Sequence, residues 1–183
     1  MIMGGRRRCG IGSRAAAFAA AAAAAWAALA AGCPGAGPPT EAPAGAPLIR
    51  LRLEALDGGW IDTARYRGRV VVLHLFDTDS PAAPIDVDQL AALSRGEPRR
   101  VRVIGVALDP EGFPIVSAWR GALDVPYLLG LAGEAIRAGR SPLGRIRVVP
   151  TTLILDRRGA LVHRIERPLG DGELARLVAP LVR

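Results

Sequence analysis

The run Val70-Val71-Val72-Leu73-His74-Leu75-Phe76 constrains this 183-residue chain more than any other feature. It is almost continuously apolar and begins with three valines. Branching at Cβ favours extended backbone, and a strand with apolar residues on both alternating faces has to be covered on both. A strand with one face in water would alternate instead. The run therefore predicts a central strand in a layered α/β sheet.

The surrounding segments supply the layers. Ile49, Leu51, Leu53 and Ala55 alternate with Arg50, Arg52 and Glu54, which predicts a half-buried strand. Asp57-Gly58-Gly59 is a hairpin signal, and Trp60-Ile61 returns. Residues 84–95 and 112–120 carry helical spacing, and Val101 to Leu108 is a second buried strand between them. Val125 to Leu129 reads as a short strand or an extended loop, and residues 133–139 as one or two helical turns. Thr151–Leu155 and Leu161–Ile165 form a hairpin across Asp156–Gly159. Residues 171–182 close the chain as a helix striped by Leu174, Leu177, Val178 and Leu181, with Asp171 as its cap. The predicted order is β-hairpin, β, α, β, α, β-hairpin, α, with no internal repeat.

The first 47 residues have a different character. Residues 1–14 hold Arg6, Arg7, Arg8 and Arg14 with no acid, and residues 15–31 are mostly alanine. A basic region followed by a short, weakly apolar stretch reads as a secretory signal peptide over residues 1–32. Leu29-Ala30-Ala31-Gly32-Cys33 resembles the lipobox of bacterial lipoproteins, in which the cysteine is acylated and becomes the new N-terminus. The leucine stands one place further from the cysteine than is usual there. Plain cleavage at the small residues, leaving Cys33 free, is the alternative. Residues 34–47 contain five prolines and three glycines in fourteen positions, a composition suited to a solvated tether and not to a packed element. The globular part spans 48–183.

Charge and cysteine usage narrow the function. The chain carries +7 through arginine alone; setting aside the four leader arginines leaves +3, too mild a balance to suggest nucleic-acid binding. Both cysteines, Cys9 and Cys33, precede the globular part.

Four strings in residues 48–183 are similar to the TlpA-type branch of the thioredoxin-like family: Leu56-Asp57-Gly58-Gly59 with Tyr66–Leu73, Phe76-Asp77-Thr78-Asp79-Ser80-Pro81, Val103–Asp109, and Val149-Pro150-Thr151-Thr152-Leu153-Ile154-Leu155-Asp156 with Gly159. The resemblance implies an α/β thioredoxin-like fold, with a central mixed sheet flanked by helices and an N-terminal β-hairpin. It also implies a cis Pro150 facing the active-site loop. By the same resemblance, Val149, Pro150 and Thr151 would offer backbone hydrogen bonds to an extended peptide.

The chemistry departs from that family. Its Cys-x-x-Cys is replaced by Ser80-Pro81-Ala82-Ala83. Exchange requires a thiolate to attack a disulfide and a second thiol to resolve the product. Ser80 and Ala83 can do neither, and the peroxiredoxin route also needs a cysteine. Pro84 adds a geometric departure, since its missing N–H favours it at a helix start and not inside one.

Other chemistry is weakly supported. His74, Asp77, Asp79 and Ser80 could be imagined as a hydrolytic set, but Ser80 lacks a nucleophile elbow, and turn or capping roles for Asp79 and Ser80 fit better. His74 and His163 with carboxylates are a poor set for copper, so no metal or other cofactor is expected. Asp86 and Asp88 read as solvated charges favouring a helix start. Arg95, Arg99, Arg100 and Arg102 read as a solvated loop, with anionic lipid headgroups as the alternative contact. No phosphate-binding glycine loop is present. The expectation is a lipid-anchored protein of the bacterial cell envelope. It would face the periplasm or exterior, lack redox catalysis and bind a polypeptide partner. The alternative is a thiol-disulfide oxidoreductase or peroxiredoxin-like enzyme.

Overall fold

The computed structural model describes Ala42 and residues 45–183. The segments read as signal peptide, as acylated Cys33 and as most of the tether lie outside the described residues.

A hairpin opens the domain. β1 (Arg52–Ala55) pairs antiparallel with β2 (Trp60–Asp62), Leu53 opposite Ile61. Asp62 then starts a 3-10 turn (Thr63–Tyr66) by accepting the Ala64 N–H at 2.9 Å. The apolar run forms β3 (Val70–Phe76), every residue of it buried. α1 (Val87–Gly96), β4 (Val101–Ala107), α2 (Phe113–Ala122) and β5 (Leu128–Leu131) follow. After the short α3 (Glu134–Arg137), β6 (Thr151–Leu155) and β7 (Leu161–Ile165) make the second hairpin. α4 (Glu173–Val178) and a 3-10 turn (Ala179–Leu181) close the domain.

The strands form one seven-stranded sheet in the order β2-β1-β5-β4-β3-β6-β7. β3, β4 and β5 run parallel, and the other pairings are antiparallel, so the sheet is mixed. The pleat sends alternate β3 side chains to opposite layers. Val70, Val72 and Phe76 pack with Leu90 of α1, Val116 of α2 and Leu174 of α4. Val71, Leu73 and Leu75 pack with Ile49, Ile136 and Leu143 on the other side. Each fully buried side chain of this size contributes about 1.5–3 kcal/mol relative to exposure, so the two-faced burial of β3 anchors the fold.

The segment 125–129, left open between strand and loop, yields the strand β5, shifted to Leu128–Leu131. The predicted helix over 84–95 begins later, at Val87. The closing helix is shorter than 171–182 and starts at Glu173, with Gly172 in the left-handed region at its cap position. Asp171 is exposed and makes no side-chain cap. Glu173 accepts the Gly170 N–H at 2.8 Å instead. Pairing starts at Pro47: Leu161 N–H donates to the Pro47 carbonyl, and Leu48 bridges Ala160.

Candidate functional site

Parallel strands present their C-terminal ends on one edge of a sheet, and ligands of α/β proteins gather there. β3 ends at Phe76 and β4 at Ala107, and the antiparallel β6 begins beside them, with Thr151 opposite Leu75. That register sets Pro150 level with the end of β3. The structure therefore brings the loop holding Ser80 and Ala83 to the same end of the sheet as Val149, Pro150 and Thr151. The Val149–Pro150 peptide bond is cis, as the resemblance implied.

The loop after β3 is built from turns. Thr78 is tied to β4 through Asp109, whose Oδ1 accepts the Thr78 N–H at 3.0 Å and also the Thr78 hydroxyl. Asp77 accepts the Asp79 N–H through its side chain at 3.1 Å and the Ser80 N–H through its carbonyl at 3.1 Å. Asp77 thus takes the turn role expected of Asp79. Ser80 does hold a turn, since its Oγ accepts the Ala82 N–H at 3.4 Å and its carbonyl accepts the Ala83 N–H at 3.0 Å. Two further three-residue turns follow, Ile85 N–H to Ala82 and Val87 N–H to Pro84. The four-residue helical spacing begins only with Leu90 N–H to Asp86. Pro84 has no N–H to offer, and the α-helix is displaced beyond it. The helix start consequently lies past Ala83, and neither Ser80 nor Ala83 belongs to the first turn of α1.

The Val149-Pro150-Thr151 segment is partly closed. Thr151 is fully buried, and its hydroxyl donates to the Val148 carbonyl at 2.6 Å. Pro150 is buried and Val149 half-buried. The Val149 N–H and C=O make no hydrogen bond among the described residues. Around them Val148 is 46 % exposed and Ile85, from the Ser80 loop, 57 %.

Beneath the loop lies a polar cluster that the sequence did not announce. His74 and Asp86 are both fully buried. Asp86 directly precedes α1, and its Oδ1 accepts the Leu169 N–H at 2.8 Å, tying the helix start to the loop before α4. This corrects the reading of Asp86 as a solvated charge. The helix turns that residue inward, over the central strand. Asp88 does remain exposed. His74 Nδ1 lies 3.1 Å from the Thr152 hydroxyl and 3.9 Å from Asp86 Oδ2. Burial pushes the His74 imidazole down to about 4, which keeps it neutral at pH 7. The same desolvation raises the Asp86 carboxyl, opposed by the Leu169 N–H bond. With the imidazole neutral, the 3.9 Å contact is not an ion pair. Burial and the nearby Asp86 also raise the Tyr127 hydroxyl. His74 Nε2, Asp86 Oδ2 and the Tyr127 hydroxyl find no hydrogen-bond partner among the described residues.

This arrangement does not form a hydrolytic triad. His74 is committed to Thr152 and Asp86, and Ser80 Oγ to its own turn. His163 lies half-buried on the edge strand β7, away from His74 on β3. No group of three or more His, Cys, Asp or Glu side chains among the described residues is placed to hold a metal ion. The sequence reading missed Asp86, Asp109, Tyr127 and Thr152. An aspartate immediately before an apolar helical stripe was the available signal for Asp86, but its partner Leu169 lies 83 residues away.

Solved structures share this architecture. A thiol:disulfide interchange protein of the thioredoxin family from Chlorobium tepidum matches at 22 % identity over 75 % of this chain and 97 % of its own, with a TM-score of 0.65. A DsbF homologue from Corynebacterium diphtheriae matches at 21 % identity over 81 % and 96 %, with a TM-score of 0.65. A secreted thiol-disulfide isomerase from Corynebacterium glutamicum matches at 18 % identity over 74 % and 84 %, with a TM-score of 0.66. No family model matches the chain, and no curated protein does. With the strand order, the parallel β3–β4–β5 core and the cis Pro150, these likenesses establish that the domain has a thioredoxin-like fold.

Proposed function

We propose that this domain is a non-catalytic thioredoxin-like binding module that holds an extended polypeptide beside the Val149–Pro150 bond. The reading is carried by one observation. The Val149 N–H and C=O have no partner among the described residues, at the rim of a loop that carries Ser80 and Ala83 where exchange chemistry needs sulfur. A donor and an acceptor on one residue can pair with one residue of an added strand, and the exposed Val148 and Ile85 offer apolar contact to its side chains. The module works outside the cytoplasm, acylated at Cys33 and linked by the proline-rich stretch of residues 34–47. The leader pattern supports that placement, as does the likeness to a protein described as secreted.

The solved relatives are thiol:disulfide interchange and isomerase proteins, and they favour a second reading, a thiol-disulfide oxidoreductase. Insulin reduction by dithiothreitol separates the two: the module leaves the rate at background, whereas the enzyme accelerates it. Binding is tested by amide hydrogen exchange of the protein with an unfolded polypeptide. Protection confined to residues 147–151 supports the module. Exchange unchanged there, or protection elsewhere, overturns it. Mass spectrometry of the processed protein tests the anchor, expecting a chain that starts at an acylated Cys33.

A further inference from the structure

At the opposite end of the sheet from Ser80 and Pro150, four segments far apart in sequence are bonded together. Gly68 N–H donates to the Arg157 carbonyl, Val70 N–H to the Arg100 carbonyl, and Ile49 N–H to the Gly159 carbonyl. Arg67 donates to the Arg158 carbonyl. These contacts gather Arg67, Arg69, Arg99, Arg100, Arg157 and Arg158 at one edge. Five of the six are exposed, and Arg69 is half-buried. Acidic compensation is slight. Asp156 is buried, with one oxygen taken by the Arg158 and Ala160 N–H groups and the other by the Arg158 side chain. Glu97 is half-buried. The domain therefore places at one end a charge out of proportion to its overall balance. Sequence spacing showed only the Arg99–Arg100 part; the β6–β7 turn and the approach to β3 supply the rest.

Pro47 and Leu48 reach the domain at this same end. We propose that the arginine face is a contact surface for anionic phospholipid headgroups, against which the tether seats the domain. Guanidinium groups bind phosphate oxygens in pairs, which suits a face built from arginine alone. This inference uses the lipid-anchored reading to explain why a bilayer is near, but its test does not need the anchor. A nucleic acid offers phosphate too; the segment leading from the leader arrives on this face and favours the membrane.

The full chain with Cys33→Ser is mixed with vesicles of phosphatidylglycerol and phosphatidylethanolamine, or of phosphatidylcholine alone, and bound protein is measured by co-sedimentation. A retained leader carries Arg6, Arg7, Arg8 and Arg14 and would itself prefer the anionic vesicles, so the loss caused by the arginine variants of the face is the readout. Stronger binding to the anionic vesicles is expected, and it should weaken as salt shortens the screening length. Arg69→Gln, Arg99→Gln and Arg100→Gln together should cost roughly fivefold per arginine. None of these three side chains has a hydrogen-bond or ion-pair partner among the described residues, so the fold is spared, and circular dichroism checks it. Arg140→Gln with Arg145→Gln, exposed positions elsewhere, should leave the preference for anionic vesicles unchanged. Equal binding to both vesicles by the wild type, or equal loss from both sets of variants, would overturn the proposal. Tighter binding to a DNA duplex than to the anionic vesicles at the same salt would assign the face to nucleic acid instead. Failure of acylation at Cys33 would refute the anchor and leave this result standing.

Discussion

The buried His74 makes stability depend on pH in a defined direction. Its imidazole is depressed from the ordinary 6.5 to about 4, while the unfolded chain titrates at the ordinary value. Between those pH values the unfolded state binds a proton that the folded state refuses. Stability is therefore fully present above about pH 6.5 and is lost as pH falls toward 4. At about 1.4 kcal/mol per pH unit, the loss over that span is about 3 kcal/mol. That is a large share of the ~5–15 kcal/mol by which such domains are stable. Asp86, raised by burial, titrates in the opposite sense, so the measurement is a difference between proteins. His163 is depressed by partial burial too, and the reference protein therefore carries His163→Gln. In that background, urea unfolding of His74 and His74→Gln is compared at pH 7.5 and pH 4.5. The histidine protein should lose about 2.5 kcal/mol more than the glutamine variant across the interval. Equal losses, or an NMR titration of the His74 ring centred near 6.5, would refute a buried neutral imidazole.

Four further outcomes follow from the geometry. Gly105→Ala should destabilise by about 1–3 kcal/mol in urea unfolding, because its Cβ would stand 2.5 Å from Leu129 Cδ2 and 3.2 Å from the Phe76 ring. Asp86→Asn keeps an acceptor for the Leu169 N–H and removes a buried carboxylate, so stability at pH 7 should hold or rise; Asp86→Ala should cost about 1–3 kcal/mol, seen as a lower urea midpoint. Ser80→Cys with Ala83→Cys should close a disulfide, since the turn between them brings the Cα atoms within about 7 Å. In Ser80→Cys alone, the thiol should titrate near an unperturbed value of about 8.5, because α1 begins only at Val87, and iodoacetamide rates across pH would show it.

The central architecture was legible because it rests on local pattern. Val70–Phe76 states its two-sided burial in its composition, and Asp57-Gly58-Gly59 states its turn. Helix starts were less legible. Pro84 announced a disruption but not its extent, since three successive turns can absorb residues 80–86 without any further signal. The site separated in the same way. The missing sulfurs and the cis Pro150 could be read from strings. The His74–Asp86 contact could not, because it depends on α1 crossing β3 and on Leu169 supplying an N–H from the far end of the chain. The arginine face combines segments around residues 67, 100 and 157, and only strand register makes them neighbours.

The pairing of residues 47–49 with the β6–β7 turn has a mechanical consequence. A pull on the N-terminal segment meets the Pro47–Leu161 and Ile49–Gly159 hydrogen bonds first, and next the Leu51–Thr63 contacts. These bonds are met in succession, so they yield singly, as in unzipping a seam and not in shearing a plate. The ladder between β3 and its neighbours lies beyond them. A molecule stretched from its N-terminal segment should therefore lengthen by a few residues at low force while its seven strands stay intact. Force spectroscopy would record a small early step before the main rupture.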